Sequence, residues 1–195
     1  MNLLISTHMI LATNIIDQAN SKKIYLINKN RFLWGNAKPD CASKYKFTRH
    51  YYDESIGVIL NLINELSSLT VSEVYYDYGK KKFSEELGVV CHFLCDYFCL
   101  PHNRRWEFKN AMKKHVIYEN TLAKIARVYK PAPKGDVHLN LDNIEEFISH
   151  TKNKYEEDMN FKTDLQYSYY MCNSVVNAIL NQVVINGYSK ETKVV

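Results

Sequence analysis

The residues best placed to do chemistry lie in a short run near the middle of the sequence. His92 and Asp96 are four residues apart, so a helix would present an imidazole and a carboxylate on one face. His102 follows six residues after Asp96. Imidazole nitrogens and carboxylate oxygens are typical ligands of Zn²⁺, and this spacing is that of a metal site.

The same kinds of ligand recur elsewhere in the first two thirds of the chain. His115 and Glu119 repeat the spacing of four, while His8, Asp40 and His50 lie upstream. A zinc ion with three protein ligands keeps a coordination position for water, as hydrolytic catalysis requires. The sequence therefore predicts a zinc centre that could activate water.

Each of these groups also has a simpler interpretation. A His/Asp or His/Glu pair on a helix is commonly a hydrogen-bonded pair in a core or on a surface. His138 and His150 have no partner at ligand spacing, so we predict that both are surface residues. Three of the five cysteines recur every four residues on one helical face, which favours buried, reduced thiols over disulfides or zinc ligation. These are Cys91, Cys95 and Cys99.

Helices must position these side chains. Apolar residues at helical spacing predict helices at roughly residues 4–19, 53–69, 83–100, 104–129, 141–160 and 165–185. Between the first two, Gly35 and the pair Pro39-Asp40 predict an irregular connection over residues 28–50.

These elements indicate one all-α domain, a multi-helix bundle spanning residues 1–195. The candidate ligands occupy residues 1–129. A loop with two prolines at 130–138 and a helical tail at 139–195 complete the predicted domain.

The composition is that of a globular protein. The 195 residues are 46% hydrophobic and 24% charged, which excludes a disordered or low-complexity chain. Six glycines and four prolines are few for this length, which favours long helices. The net charge of +4 permits an anionic substrate but is small for a dedicated nucleic-acid-binding protein.

Neither a membrane span nor a secretory leader is evident in the sequence. No segment approaches the roughly 20 consecutive apolar residues that a spanning helix needs. The N-terminal residues lack the basic region and the cleavage site of a leader. We therefore expect a cytoplasmic protein, or a secreted one if a leader has been removed.

Six short motifs, taken in order, resemble those of a known enzyme family. They are Thr7-His8-Met9-Ile10, Pro39-Asp40, Phe47-Thr48-Arg49-His50-Tyr51-Tyr52-Asp53, Leu87-Gly88-Val89-Val90-Cys91-His92-Phe93-Leu94-Cys95-Asp96, Pro101-His102-Asn103 and His115-Val116-Ile117-Tyr118-Glu119-Asn120. Their order and the spacings His-x3-Asp-x5-His and His-x3-Glu are similar to those of the zinc-dependent phospholipases C, which include clostridial alpha-toxin. The resemblance extends from Thr7 to about Ile125.

The resemblance implies an all-α fold with two to three zinc ions in one cleft. One ion would be held by Asp40, His50, His92 and Asp96, a second by His102, His115 and Glu119, and a third by Asp96 and His8. Asp96 would then bridge two ions. In the family an N-terminal amine completes the third site, a place that Met1 could take here by folding back.

The activity that the resemblance implies is hydrolysis of a phospholipid to diacylglycerol and a phosphorylated headgroup, with transient contact at a membrane surface. Asp40 would orient or deprotonate the attacking water, and no nucleophilic side chain would be needed. Phe47 matches a position that lines the choline pocket. Cys41 replaces a tyrosine of that pocket, however, which weakens the case for a choline headgroup.

Two other functions compete with this one. A related single-strand nuclease family uses the same three-zinc fold, and nucleic acid would then be the substrate, but those enzymes usually carry aspartate where this chain has Glu119. Arg104, Arg105 and Lys109 could line a nucleic-acid groove, although such residues are more often solvated. The other alternative is a non-catalytic zinc-binding domain that stores or senses the metal.

Overall fold

The structure is a computed structural model that describes residues 4–18, 23–41, 49–106, 111–131 and 139–191. Over these ranges it is helical and has no strand, which confirms the all-α prediction. The α-helices are α1 (Leu4–Gln18), α2 (Lys29–Cys41), α3 (Tyr52–Ser68), α4 (Val71–Tyr76), α5 (Lys80–Tyr97), α6 (Leu100–Asn103), α7 (Met112–Ala126), α8 (Ile144–Glu156) and α9 (Phe161–Glu191). None of these helices has the length and apolar character that crossing a bilayer would require.

Helix α5 lies at the centre of the bundle. From Phe83 to Tyr97 nearly every residue is buried, because α1, α2, α3 and α9 all pack against this helix. A helix buried on every side belongs to a protein core rather than to its surface. His92 and Asp96 lie on α5, so both polar side chains point into the interior, with exposed fractions of 0% and 2%.

Helices α2 and α5 cross in direct backbone contact at two glycines. A Cβ atom at Gly35 would lie 2.0 Å from the backbone oxygen of Glu85, and one at Gly88 would lie 2.3 Å from the backbone oxygen of Phe32. Only glycine fits at either position. The crossing fixes the end of α2 relative to the turn of α5 that carries His92.

The prediction of an irregular connection over residues 28–50 was wrong for its first half. Lys29–Cys41 forms α2, with Gly35 and Pro39 inside the helix. Glycine costs about 1 kcal/mol relative to alanine within a helix. At Gly35 the close approach of α2 to α5 requires a glycine. A residue whose type predicts a helix break is therefore, in this protein, a packing contact between two helices.

The predicted helix over residues 104–129 begins only at Met112. Arg104 and Arg105 instead form a turn after α6, in which Arg105 adopts a φ of 50°. A left-handed backbone at a residue other than glycine ends a helix.

The predicted helix over residues 165–185 is longer than expected and begins at Phe161. The side chain of Asn160 explains the start, because its Oδ1 accepts hydrogen bonds from the backbone N–H groups of Lys162 and Thr163, at 3.0 and 3.2 Å. Asparagine is one of the preferred residues at this position of a helix. The other predicted helices are present with ends shifted by a few residues.

The cysteines agree with the sequence prediction. All five are free, and Cys91, Cys95 and Cys99 are buried. The Sγ atoms of Cys95 and Cys172 lie 3.6 Å apart, between α5 and α9. These thiols fill the seam where the two helices pack.

Replacing Gly88 with alanine is expected to lower the free energy of unfolding by about 3 kcal/mol, because the new methyl group forces α2 and α5 apart. Urea unfolding followed by circular dichroism would measure the change. Gly57→Ala is the matched control, since a Cβ there meets no atom within 4 Å in α3 and should stabilise the helix by about 0.5–1 kcal/mol. Equal unfolding midpoints for Gly88→Ala and the wild type would contradict the close crossing.

Candidate metal centre

The structure brings all eight predicted ligands into one connected cluster. Five helices and the segment before α3 contribute to it. The contributors are His8 from α1, Asp40 from α2, His50 from the segment before α3, His92 and Asp96 from α5, His102 from α6, and His115 and Glu119 from α7.

Asp96 lies at the centre of this cluster. Its Oδ1 is 3.3 Å from Nε2 of His8 and 3.6 Å from Nε2 of His102. Its Oδ2 is 2.9 Å from Nδ1 of His50 and 3.2 Å from Nε2 of His92. The two carboxylate oxygens therefore face different imidazoles, as those of a carboxylate bridging two ions would.

A second carboxylate closes the group around His50 and His92. Oδ1 of Asp40 lies 3.8 Å from Nδ1 of His50 and 3.6 Å from Nε2 of His92. The two imidazole nitrogens are themselves 3.2 Å apart. The Asp40 side chain is 27% exposed, which places it at the edge of the cluster towards solvent.

The third carboxylate, Glu119, lies between two other histidines. Its Oε1 is 3.1 Å from Nε2 of His102 and 2.6 Å from Nε2 of His115. Ligand atoms of Cys99, His102 and Glu119 also lie within 4.8 Å of one another. The sequence did not single out the Cys99 thiol as a ligand, because its spacing to the other cysteines indicates packing.

A backbone contact orients His92. Its Nδ1 is 2.8 Å from the carbonyl oxygen of Asn36, and since a carbonyl only accepts, Nδ1 carries the proton. The lone pair of neutral His92 is then on Nε2, which faces Asp40, His50 and Asp96. Burial and the neighbouring His8 lower the pKa of His92, which favours this neutral form.

The neighbouring histidines favour the ionised form of the two most buried carboxyl groups in the cluster, those of Asp96 and Glu119. Burial alone would raise the pKa of Asp96, but the charges of His102 and His8 and the hydrogen bond with His50 hold it well below its usual range. Burial likewise opposes ionisation of Glu119, while hydrogen bonds from His102 and His115 lower its pKa to about 2. The cluster therefore presents carboxylates and imidazoles together.

This donor set fits divalent zinc. It combines imidazole nitrogens with carboxylate oxygens, the ligands that zinc takes in hydrolytic sites. Oε2 of Glu119 is buried and has no hydrogen-bond partner among the described side and main chains, so it is available as a ligand atom.

Asp164 on α9 accepts hydrogen bonds from residues next to the metal ligands. Its carboxylate accepts hydrogen bonds from the hydroxyls of Tyr155 and Tyr118, at 2.7 and 2.9 Å, and from the backbone N–H of Leu100, at 3.3 Å. Leu100 begins the short helix that carries His102. Burial raises the pKa of Asp164 to about 6, although these donors oppose the shift.

A cleft opens beside the cluster. Its lining includes His50, Asp96 and His102 of the cluster and two cations, of which the sequence pointed only to the first, as a residue of a nucleic-acid groove. These are Arg105 and Lys152.

Some sequence predictions lie outside the described residues. Phe47, expected in the headgroup pocket, and Met1, expected near the third ion, belong to this group, as does His138. His150 is described and exposed on α8, which confirms that it is a surface residue.

Comparison with known proteins gave one match. Searches of curated protein sequences and of solved structures each found none. A family model described as zinc dependent phospholipase C matches residues 7–174. The match includes every residue of the cluster and continues past Ile125, where the motif resemblance ends, through α8 and into α9. The chain therefore belongs to the zinc-dependent phospholipase C family.

Proposed function

We propose that this protein hydrolyses a phospholipid to diacylglycerol and a phosphorylated headgroup at a zinc centre. The observation that carries the proposal is the convergence of the eight side chains into one cluster, in which four histidines contact Asp96 and the other three residues contact those histidines or one another. Membership of the family supports a phospholipid as the substrate class.

We propose that the centre holds two to three ions. Asp40, His50, His92 and Asp96 would hold the first, His102, His115 and Glu119 the second, and His8 with Asp96 the third. When bound, zinc lowers the pKa of water and withdraws charge from phosphoryl oxygens.

The chain's own residues position the reactants. Asp40 is partly exposed and lies beside His50 and His92, so its carboxylate is placed to orient a water molecule and to accept its proton. Burial raises the pKa of the Cys99 thiol well above its usual range. A protonated, buried thiol is a poor nucleophile, so direct attack by water is the simpler course.

Turnover assays would test the proposal. Zinc-loaded protein should release diacylglycerol from phospholipid vesicles, lose this activity with a chelator and regain it with added zinc. His92→Ala should lower turnover by about 100-fold or more without loss of helicity, since His92 is both a candidate ligand and oriented by Asn36. His150→Ala, an exposed histidine on α8, is the matched control and should leave turnover unchanged.

The other outcomes separate the alternatives. Hydrolysis of single-stranded DNA without hydrolysis of phospholipid would overturn the lipid substrate in favour of a nuclease. No turnover of phospholipid, of a chromogenic phosphodiester or of DNA by zinc-loaded protein would overturn both enzymatic functions and leave a metal-storing or metal-sensing domain.

A further inference from the structure

We propose that Arg105 and Lys152 select a headgroup that carries an acidic group in addition to its phosphate, and reject a quaternary ammonium. The inference rests on the proposed function, because it concerns the headgroup of the same substrate. Its basis is the cleft beside the metal centre, which both residues line together with His50, Asp96 and His102.

Two tyrosine rings that line this cleft already lie against the chain's own cations. The guanidinium carbon of Arg105 lies 4.8 Å from the centre of the Tyr51 ring. Nζ of Lys152 lies 5.2 Å from the centre of the Tyr52 ring. A quaternary ammonium binds through such ring faces, so it would have to displace these cations and would meet like charge as it did so.

Two acidic residues hold Arg105, and one of them, Asp53, lines the cleft as well. Its Nη2 donates to Asp53 at 3.1 Å and its Nη1 donates to Glu54 at 3.2 Å. A guanidinium has five N–H donors in a planar fork, so these two contacts leave donors for a further acceptor. Arginine pairs with carboxylates and phosphates through two parallel hydrogen bonds, which suits an acidic headgroup.

Lys152 is also held by an acidic residue. Glu156, one turn later on α8, pairs with its ammonium and also accepts a hydrogen bond from Asn103 at 2.7 Å. Asn103 lines the same cleft, directly after His102. The Lys152 ammonium is therefore held near the metal ligands. Its side chain is only 18% exposed, unlike that of a freely solvated surface lysine.

The backbone at Arg105 is also unusual. Its φ of 50° is the only positive φ that a residue other than glycine adopts in the described part of the chain. Such conformations are sparsely populated and concentrate at ligand-binding sites. The turn directs the arginine side chain back over Tyr51 towards the cleft.

Calorimetric binding of three phosphate monoesters to the zinc-loaded protein tests the inference. Phosphoserine and phosphoethanolamine differ only in one carboxylate, and phosphocholine carries the quaternary ammonium. We expect phosphoserine to bind about tenfold or more tightly than either of the others. Arg105→Gln and Lys152→Gln should each reduce this preference at least about threefold, while the affinity for phosphoethanolamine changes less than about twofold.

Two further variants control for the fold. Arg105→Gly suits the positive φ and should lose the preference in the same way as Arg105→Gln, so a backbone effect cannot account for the result. Arg31→Gln removes another half-exposed arginine that pairs with a glutamate, outside the cleft, and should keep the preference.

The outcomes distinguish the two proposals. Equal affinity for all three esters, tighter binding of phosphocholine, or a preference that survives Arg105→Gln and Lys152→Gln would overturn the headgroup selection alone, provided that phospholipid is still hydrolysed. Failure of all three esters to bind a protein that contains zinc and hydrolyses phospholipid would likewise overturn the headgroup selection alone, whereas absence of phospholipid turnover would overturn the proposed function.

Discussion

The Asp96→Asn variant is expected to lose more than one bound zinc ion. Its phosphodiester turnover is expected to fall roughly 1000-fold or more. Each oxygen of this carboxylate faces a different pair of imidazoles, His8 with His102 and His50 with His92. Asparagine removes the charge and replaces one oxygen by an NH₂ group, which cannot bind a cation. Two sites are therefore weakened by one substitution.

Elemental analysis of purified protein would count the ions directly. Wild-type protein should contain two to three zinc ions per chain, and Asp96→Asn should lose more than one of them. Asp17→Asn is the control, because Asp17 is largely exposed on α1 and remote from the cluster. Loss of one ion or none would show that Asp96 does not bridge.

Removal of zinc is expected to lower the melting temperature by roughly 8–16 °C. A site filled at about 1000 times its dissociation constant adds about 4 kcal/mol to the native state. For a chain of 150–250 residues, 1 kcal/mol shifts the melting temperature by about 2–4 °C. The estimate is for one tight site, and more sites would add to the shift.

Scanning calorimetry with and without a chelator would measure this difference. Adding zinc back should restore the higher melting temperature, which separates metal loss from damage by the chelator. His92→Ala should respond less to chelation than the wild type, because it retains fewer ligands. A melting temperature that chelation leaves unchanged would argue against a tight zinc cluster.

Much of the centre could be predicted from local spacing. His92 with Asp96, and His115 with Glu119, are pairs whose proximity follows from a helical turn. That Asp40 and His8 join them is a matter of tertiary packing, which spacing does not report. The resemblance to a family supplied that part, and the structure shows the contacts.

The features that could not be predicted from the sequence depend on contacts between segments that are distant along the chain. Helix α2 was not predicted because Gly35 favours a break in isolation, and only its contact with Gly88 explains it. The carbonyl of Asn36 that orients His92 is a main-chain group and leaves no signal in side-chain pattern. Lys152 lies in the tail, for which the sequence predicted helices but no role in the cleft.

The glycine crossing of α2 and α5 also bears on which metal the centre accepts. Because two backbones in contact cannot move closer and are held by the core, Asp40, His92 and Asp96 keep a nearly fixed separation. Ca²⁺ takes six to eight oxygen ligands at about 2.3–2.6 Å, whereas Zn²⁺ takes fewer, at about 2.0–2.2 Å. We expect a recess of this kind, with imidazole nitrogens among its donors, to favour Zn²⁺ over the larger Ca²⁺.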